Sequence, residues 1–324
     1  MAEVSADSDY QPCQKREAAM GYGDEWREEY GRNRYLRHLP DAALRDRLEA
    51  LSGNLWSTDA AGNVTPPRSP DHRHRLLRLI IHTLLEHMER AGTTVLDFSE
   101  REIRETASAS YRPPQLRTPF TGSPSCFAKF GKRDHIRDAF KRGSLRIAPA
   151  SAYNDPSLNA AQADQELEHY SVTPNEHLMF QLLGLDAEGK EVEMPVQHME
   201  LFRYMLVRNF YVWCCSLGYD ARLFHDFEAD AVLIVRDKTA FQKGLSAAVQ
   251  KQLPDAKQID GEFNYYDPYA IRREQLTPMF SKNIRYLYQN EYRFAWTMPE
   301  HSMLAPFFVE LGPLNDIAEF FELA

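Results

Sequence analysis

A chain of 324 residues, 43% hydrophobic and 26% charged, can bury a sizeable core and fits one large domain or two smaller ones. Its formal charge of −9 argues against a general nucleic-acid coat protein while leaving room for a local basic cleft. Cys13, Cys126, Cys214 and Cys215 show neither CxxC pairing nor metal-ligand spacing, so no metal is expected and the apolar Cys214-Cys215 pair reads as buried free thiols. The start, Met1-Ala2-Glu3-Val4, lacks a signal-peptide pattern, and no apolar run approaches the ~20 residues that span a bilayer. A cytoplasmic protein without a membrane partner is expected.

In chain order, polar and acidic residues 1–30 are expected to be loosely ordered. Asp41 to Leu51 has the spacing of a short amphipathic helix, followed by a Gly/Thr/Pro-rich loop from Ser57 to Arg68. Ser69-Pro70 starts a second helix that runs to Arg90 or Ala91 and stops at Gly92, with Leu76, Leu77, Ile80, Ile81, Leu84, Leu85 and Met88 as its apolar stripe. His72, His74, His82 and His87 scatter around it without HExxH and read as a solvated or half-buried face. A further helix is expected over Ser99 to Ser108. Prolines and glycines between Tyr111 and Pro124 then separate a helical N-terminal region, residues 1–115, from an α+β body, residues 120–324.

The body opens with a strand at Cys126–Phe130, a helix over Lys132–Arg142 with Ile136, Ala139 and Phe140 inward, Gly143 as its stop, and a strand at Leu145–Ala148. Ser151–Pro156 is a turn, Met199–Val207 reads as helical, Phe210–Ser216 and Ala231–Val235 as buried strands, and Lys238–Gln252 as a helix. Phe263–Tyr266 is extended, and Tyr286–Trp296 alternates as one strand. On that strand Tyr288, Tyr292, Phe294 and Trp296 face one way and Gln289, Glu291 and Arg293 the other; Phe307–Leu311 closes the sheet.

The ordered set Lys129-Phe130, Gly143, Leu145-Arg146, Tyr153-Asn154-Asp155-Pro156, Ser216, Lys282 and Glu291-Tyr292-Arg293-Phe294 resembles a widespread bacterial domain of unknown function over roughly residues 125–311. That family carries Tyr-Lys-Phe, Phe-Asn-Asp-Pro-Phe-Glu, Cys-Phe-Ser and Glu-x-Glu-x-Arg motifs. The chain departs at Tyr153, Ser157, Phe224, Phe227 and Gln289, so it resembles a divergent member. The family in turn is similar to the ADP-ribosyltransferase superfamily, with Gln289-x-Glu291 in the place of the Gln-x-Glu or Glu-x-Glu motif of the toxin-type branch.

The resemblance implies a split β-sheet body that takes NAD as substrate and transfers ADP-ribose to nucleic acid or protein, in toxin–antitoxin or antiphage conflict, with an antitoxin or inhibitor protein as partner. Cleaving the nicotinamide–ribose bond builds positive charge on the ribose, much as in glycoside hydrolysis, so a nearby carboxylate is needed. Glu291 is that carboxylate, Gln289 orients the acceptor or supports Glu291, and Ser216 supplies a supporting hydroxyl. Lys129, Phe130, Arg146, Tyr153, Asn154, Asp155 and Arg293 are the cofactor-binding candidates. The alternatives stay open beside them: Lys129 as a snorkelling surface lysine, Arg146 in an ion pair with Asp155 or Glu291, Asn154-Asp155 as a capped turn, and Tyr153 and Tyr292 as core aromatics. Lys132, Arg133, Arg137, Lys141, Arg142 and Arg146 form either a phosphate-holding patch or a solvated helix face. Arg222, His225 and Asp226 cluster without a G-x-S-x-G nucleophile, and neither G-x-G-x-x-G nor a P-loop is present. NAD hydrolysis and a non-catalytic binding or sensor module are the competing functions.

Overall fold

The computed structural model describes residues 22–92, 99–122, 125–159, 161, 167–174, 182–194, 200–269, 276–299 and 303–324. The expected loose order of residues 1–21 lies outside them. Residues 22–30, expected to be loose as well, instead belong to a helix, α1 (Tyr22–Arg32). Trp26 and Tyr30, four apart, bury one face of it. α2 (Asp41–Gly53) buries Leu44 and Leu51, and a two-residue ladder, β1 (Ser57–Thr58) with β2 (Val64–Thr65), lies inside the expected loop.

α3 spans Pro70–Ala91: the Ser69 hydroxyl accepts the His72 N–H, Pro70 sits in the first turn, and Gly92 ends the helix at φ 63°. Its buried stripe is Leu76, Leu79, Ile80, Thr83 and Glu86, rotated from the expected one. Glu86 draws that face inward, because Tyr30, Arg34 and Arg90 all donate to its carboxylate. His82, expected at least half solvated, is 3% exposed against Tyr35, whose hydroxyl lies 3.2 Å from Nδ1. α4 (Glu100–Ala107) carries a capping box between Ser99 and Glu102.

The rest is mixed α and β around an antiparallel sheet. β3 (Phe127–Gly131) leads through α5 (Arg133–Arg142) to β4 (Ser144–Pro149) and a 3-10 turn, Ala150–Tyr153. An arm follows in which β5 (Glu168–Pro174), β6 (Leu182–Leu185), β7 (Glu191–Met194) and β8 (Glu200–Leu206) form the ladders β5–β8 and β6–β7. The helix expected over Met199–Val207 is therefore a strand across residues 200–206. Phe202, Tyr204 and Leu206 alternate outward with half-buried Arg203 and Met205, and pairing with β5 settles the backbone.

Next come β9 (Tyr211–Leu217), α6 (Arg222–Asp226), β10 (Ala231–Val235), α7 (Lys238–Gln252), β11 (Lys257–Glu262), β12 (Asn264–Tyr266), β13 (Ser281–Asn283), β14 (Glu291–Thr297), β15 (Phe307–Glu310) and β16 (Ala318–Glu322). The main sheet runs β11-β14-β9-β3-β10-β16, with β4 and β15 branching from β9. β15 thus ends one branch only, and β16, beyond β10, ends the other.

One apolar layer packs Phe127, Trp213, Leu233, Phe294 and Trp296 under Ile136 of α5 and Phe241, Leu245 and Val249 of α7. The opposite face collects Ala128, Phe130, Val232 and Ile234 with Tyr219 and Phe224. A third cluster joins Leu51, Leu55, Leu76, Leu79 and Ile80 of the N-terminal helices and their loop to Phe263, Tyr265, Ile284 and Leu287.

Candidate functional site: a cleft where the sheet forks

β14 pairs with β9 along its length, placing Glu291 opposite Ser216 and Arg293 opposite Cys214. On its other edge β9 has two partners. β3 pairs at one end (Phe127 with Leu217, Ala128 with Ser216) and β4 at the other (Ala148 with Val212, Pro149 with Tyr211). Between those ends, at Trp213 to Cys215, β3 and β4 diverge. A buried edge with unpaired backbone groups needs other partners, and one is supplied by Lys129, whose Nζ donates to the Cys214 carbonyl at 2.7 Å and lies 5.4 Å from the Trp213 ring centre. Lys129 is therefore a clasp across the fork and not a surface lysine.

A cleft of about 410 Å³ opens at this fork and is lined by Lys129, Phe130, Arg146, Tyr153, Ser216, Lys282 and Glu291, among others. Its volume lies in the range of small-molecule sites. Glu291, Ser216 and Arg146, from three separate strands, share it. Arg146 is exposed on β4 and lines the cleft, and it pairs with neither Asp155 nor Glu291; an arginine there carries the fork of donors that suits a diphosphate.

The carboxylate is held from behind. Lys282 Nζ donates to Glu291 Oε2 at 3.1 Å and to Gln289 Oε1 at 2.9 Å. It is 5% exposed, with the Tyr286 ring 4.6 Å away. The backbone N–H of Glu291 donates to the Tyr265 hydroxyl at 2.8 Å; burial, then the Glu291 charge, pushes that phenol's pKa well up, so it stays protonated. Lys282 stands in the ordered set of the sequence with no role assigned to it. Its reach depends on β13 running parallel to β12, a nonlocal register with no local signal.

Gln289 corrects one expectation. The alternation that read as strand from Tyr286 is a 3-10 helix over Ile284–Gln289, capped by Asn283 and ended by Asn290 at φ 44°. Ile284 and Leu287, three apart, bury together as that geometry requires. Gln289 is therefore not one strand step from Glu291. It is fully buried, its Nε2 donating to the Ala161 carbonyl at 2.8 Å; outside the lining of this cleft, it supports Lys282 and borders a separate hollow with Ser216 and Tyr288.

Arg293 lies on Glu291's side of β14 yet is 1% exposed, bonded to the Met279 carbonyl at 2.8 Å and stacked 4.2 Å from the Phe263 centroid. Its place is structural, against the expected cofactor contact. Asn154 and Asp155 line a neighbouring hollow instead, where Asp155 caps Ser157 N–H at 2.9 Å. Tyr292 turns to the opposite layer, its ring 4.8 Å from Phe127 and its hydroxyl bonded to Asp260. Arg222 is sandwiched between Trp56 and Tyr288 and tied to Asp226 at 2.7 Å, while His225 is exposed. That cluster is a packing device.

The basic stretch is largely spent on internal partners. Arg133 and Arg137 pair with Glu322 at 3.1 and 3.0 Å, Arg142 with Asp138 at 2.6 Å, and Lys132 donates to the Glu228 carbonyl. Cys126, Cys214 and Cys215 are free thiols, and burial raises the pKa of Cys215 well above the ordinary thiol value. Among the described residues no helix is long and apolar enough to cross a membrane, and no group of three His, Cys, Asp or Glu side chains could hold a metal.

In comparisons with known proteins, no family model, curated protein or solved structure matches the chain.

Proposed function

We propose that the chain transfers ADP-ribose from NAD to a macromolecular acceptor, nucleic acid in preference to protein, in a toxin or antiphage setting, and that its body is of ADP-ribosyltransferase type. The observation that carries this reading is the meeting of Glu291, Ser216 and Arg146 in one cleft at the fork of the sheet. The donor set fits the dinucleotide's chemistry: Arg146 offers a fork to the diphosphate, Tyr153 and Phe130 offer aromatic surface to the nicotinamide, and Glu291 offers a held carboxylate. Bond cleavage at the ribose builds positive charge, and a preorganised anion beside that carbon stabilises it. Lys282 and Gln289 fix the position of Glu291, so little reorganisation accompanies charge development.

The test is incubation with labelled NAD, with RNA, DNA and cell lysate supplied, comparing wild type with Glu291→Gln. NAD consumption by wild type should fall about 10²- to 10³-fold in the variant. Consumption without a labelled macromolecule would identify water as acceptor. If wild type consumes no NAD, the competing reading stands: a binding or sensor module that has lost turnover. The withdrawal of Gln289 from the cleft favours that second reading, since its amide is spent on Lys282 and the Ala161 carbonyl.

A further inference from the structure

A second hollow of about 320 Å³ adjoins the cleft, sharing Tyr153 and Lys282 with it. Tyr170 of β5 and Tyr286 add aromatic walls, and Asn283 and Arg285 supply polar edges. Among the described residues, Asp155 and Glu168 are the acids that line it. Asp155 already accepts the Ser157 N–H, and Tyr204 bonds Glu168. Tyr170 is 48% exposed and Arg285 is exposed, so this hollow opens to solvent while Glu291 stays recessed.

We propose that this second hollow binds a planar nucleobase of the acceptor. The inference rests on the transferase reading above and names where its acceptor sits. Every nucleobase has a π-face that stacks on aromatic side chains without regard to sequence. Its edge carries both donors and acceptors, which is what an amide, a guanidinium and a carboxylate together can meet. A protein side chain as acceptor would leave most of this mixed polar rim unpaired. The ion-paired arginines of α5 make the expected basic patch a poorer place for the nucleic acid than Arg285. Lys282, lining both hollows, puts the base beside the carboxylate it holds. In the transfer served, a base nitrogen or oxygen bonds to the ribose carbon as the nicotinamide–ribose bond breaks. The bonding pair leaves with nicotinamide and the displaced proton passes to the Glu291 carboxylate.

The test is direct binding of fluorescein-labelled mixed-sequence single-stranded DNA and RNA to the full chain, with unlabelled mononucleotides as competitors. Tyr170→Ala and Arg285→Glu should each weaken oligonucleotide binding about tenfold. Arg236→Glu, outside both hollows, should change it little. Competition by mononucleotides at similar concentrations would assign the base as a free nucleotide, and its absence would assign a strand; either result supports a base site. No binding by wild type, equal binding by the two hollow variants, or labelled ADP-ribose appearing on protein alone would overturn the proposal. Failure of the transferase reading is seen separately, as wild-type protein that binds oligonucleotide through these residues yet consumes no NAD.

Discussion

At the scale of single residues, Lys282 decides how Glu291 can act. A lysine with 5% exposure beside a carboxylate and an amide oxygen is a buried cation whose partners cannot be removed cheaply. Lys282→Met should lower stability by about 3–5 kcal/mol, because it leaves the carboxylate without its partner. Glu291→Gln keeps an oxygen for Lys282 and should cost clearly less in the same urea titration. If the two variants lose equal stability, Lys282 is not the support of Glu291. The carboxylate itself was legible: an acid between an amide and a guanidinium, in an ordered set with Ser216 and Arg146, pointed to a shared cleft. Lys282's role was not, since only the register of two short parallel strands brings its ammonium there. Arg293 misled for a related reason, as strand alternation gives the side a residue faces without saying how deeply that side is sealed.

Helices whose ends carry their own chemistry were readable as elements. Ser69-Pro70 and Gly92 bound α3, and Gly143 stops α5 at φ 68°, each through a backbone requirement that one residue type meets. A Cβ on Gly143 would run into the backbone of Gly312. Gly143→Ala should therefore destabilise by more than the ~1–2 kcal/mol of a left-handed alanine alone, read as a lowered thermal midpoint. Elements defined by partners were less readable: the 3-10 turn at Ile284–Gln289 imitates a strand's alternation, and β8 needed β5 to be a strand. α3 also carries a pH signature. Burial first, and then the charges of Arg78 and Arg47, lower the His82 pKa to about 4. A histidine depressed in the folded state protonates more readily when unfolded, so its contribution is complete above about pH 6.5 and fades as pH falls toward 4. Wild type should lose stability across that window at up to about 1.4 kcal/mol per pH unit more than His82→Gln, in denaturant titrations at pH 7 and pH 5.

Across the whole molecule, the helical N-terminal region and the sheet body share a core and a buried ion pair. Arg47 of α2 meets Asp267 bidentately, both bonds 2.6 Å. Burial alone would raise the Asp267 pKa; the Arg47 charge overcomes it and leaves the pKa lowered. Asp267→Asn or Arg47→Met should cost about 3–5 kcal/mol, whereas Arg47→Met with Asp267→Leu should recover most of it. Single and double variants losing alike would show that the pair does not couple the two regions. The composition break near residues 111–124 was legible as a change of element type; the ion pair across it was not, because its members lie 220 positions apart.

The branching of the sheet at β9 has a kinetic consequence. Tyr211–Leu217 is zipped to β14 along one margin and to two different strands along the other, so releasing it means breaking three ladders together. Its amides should be among the last to take up deuterium. The joint with β3 consists of the Phe127 and Ala128 pairs, with the Lys129 ammonium as a latch. That joint is short, but the apolar layer of Phe127, Trp213 and Phe294 also ties β3 to β9, so the fork keeps its shape for as long as the core beneath it stays closed.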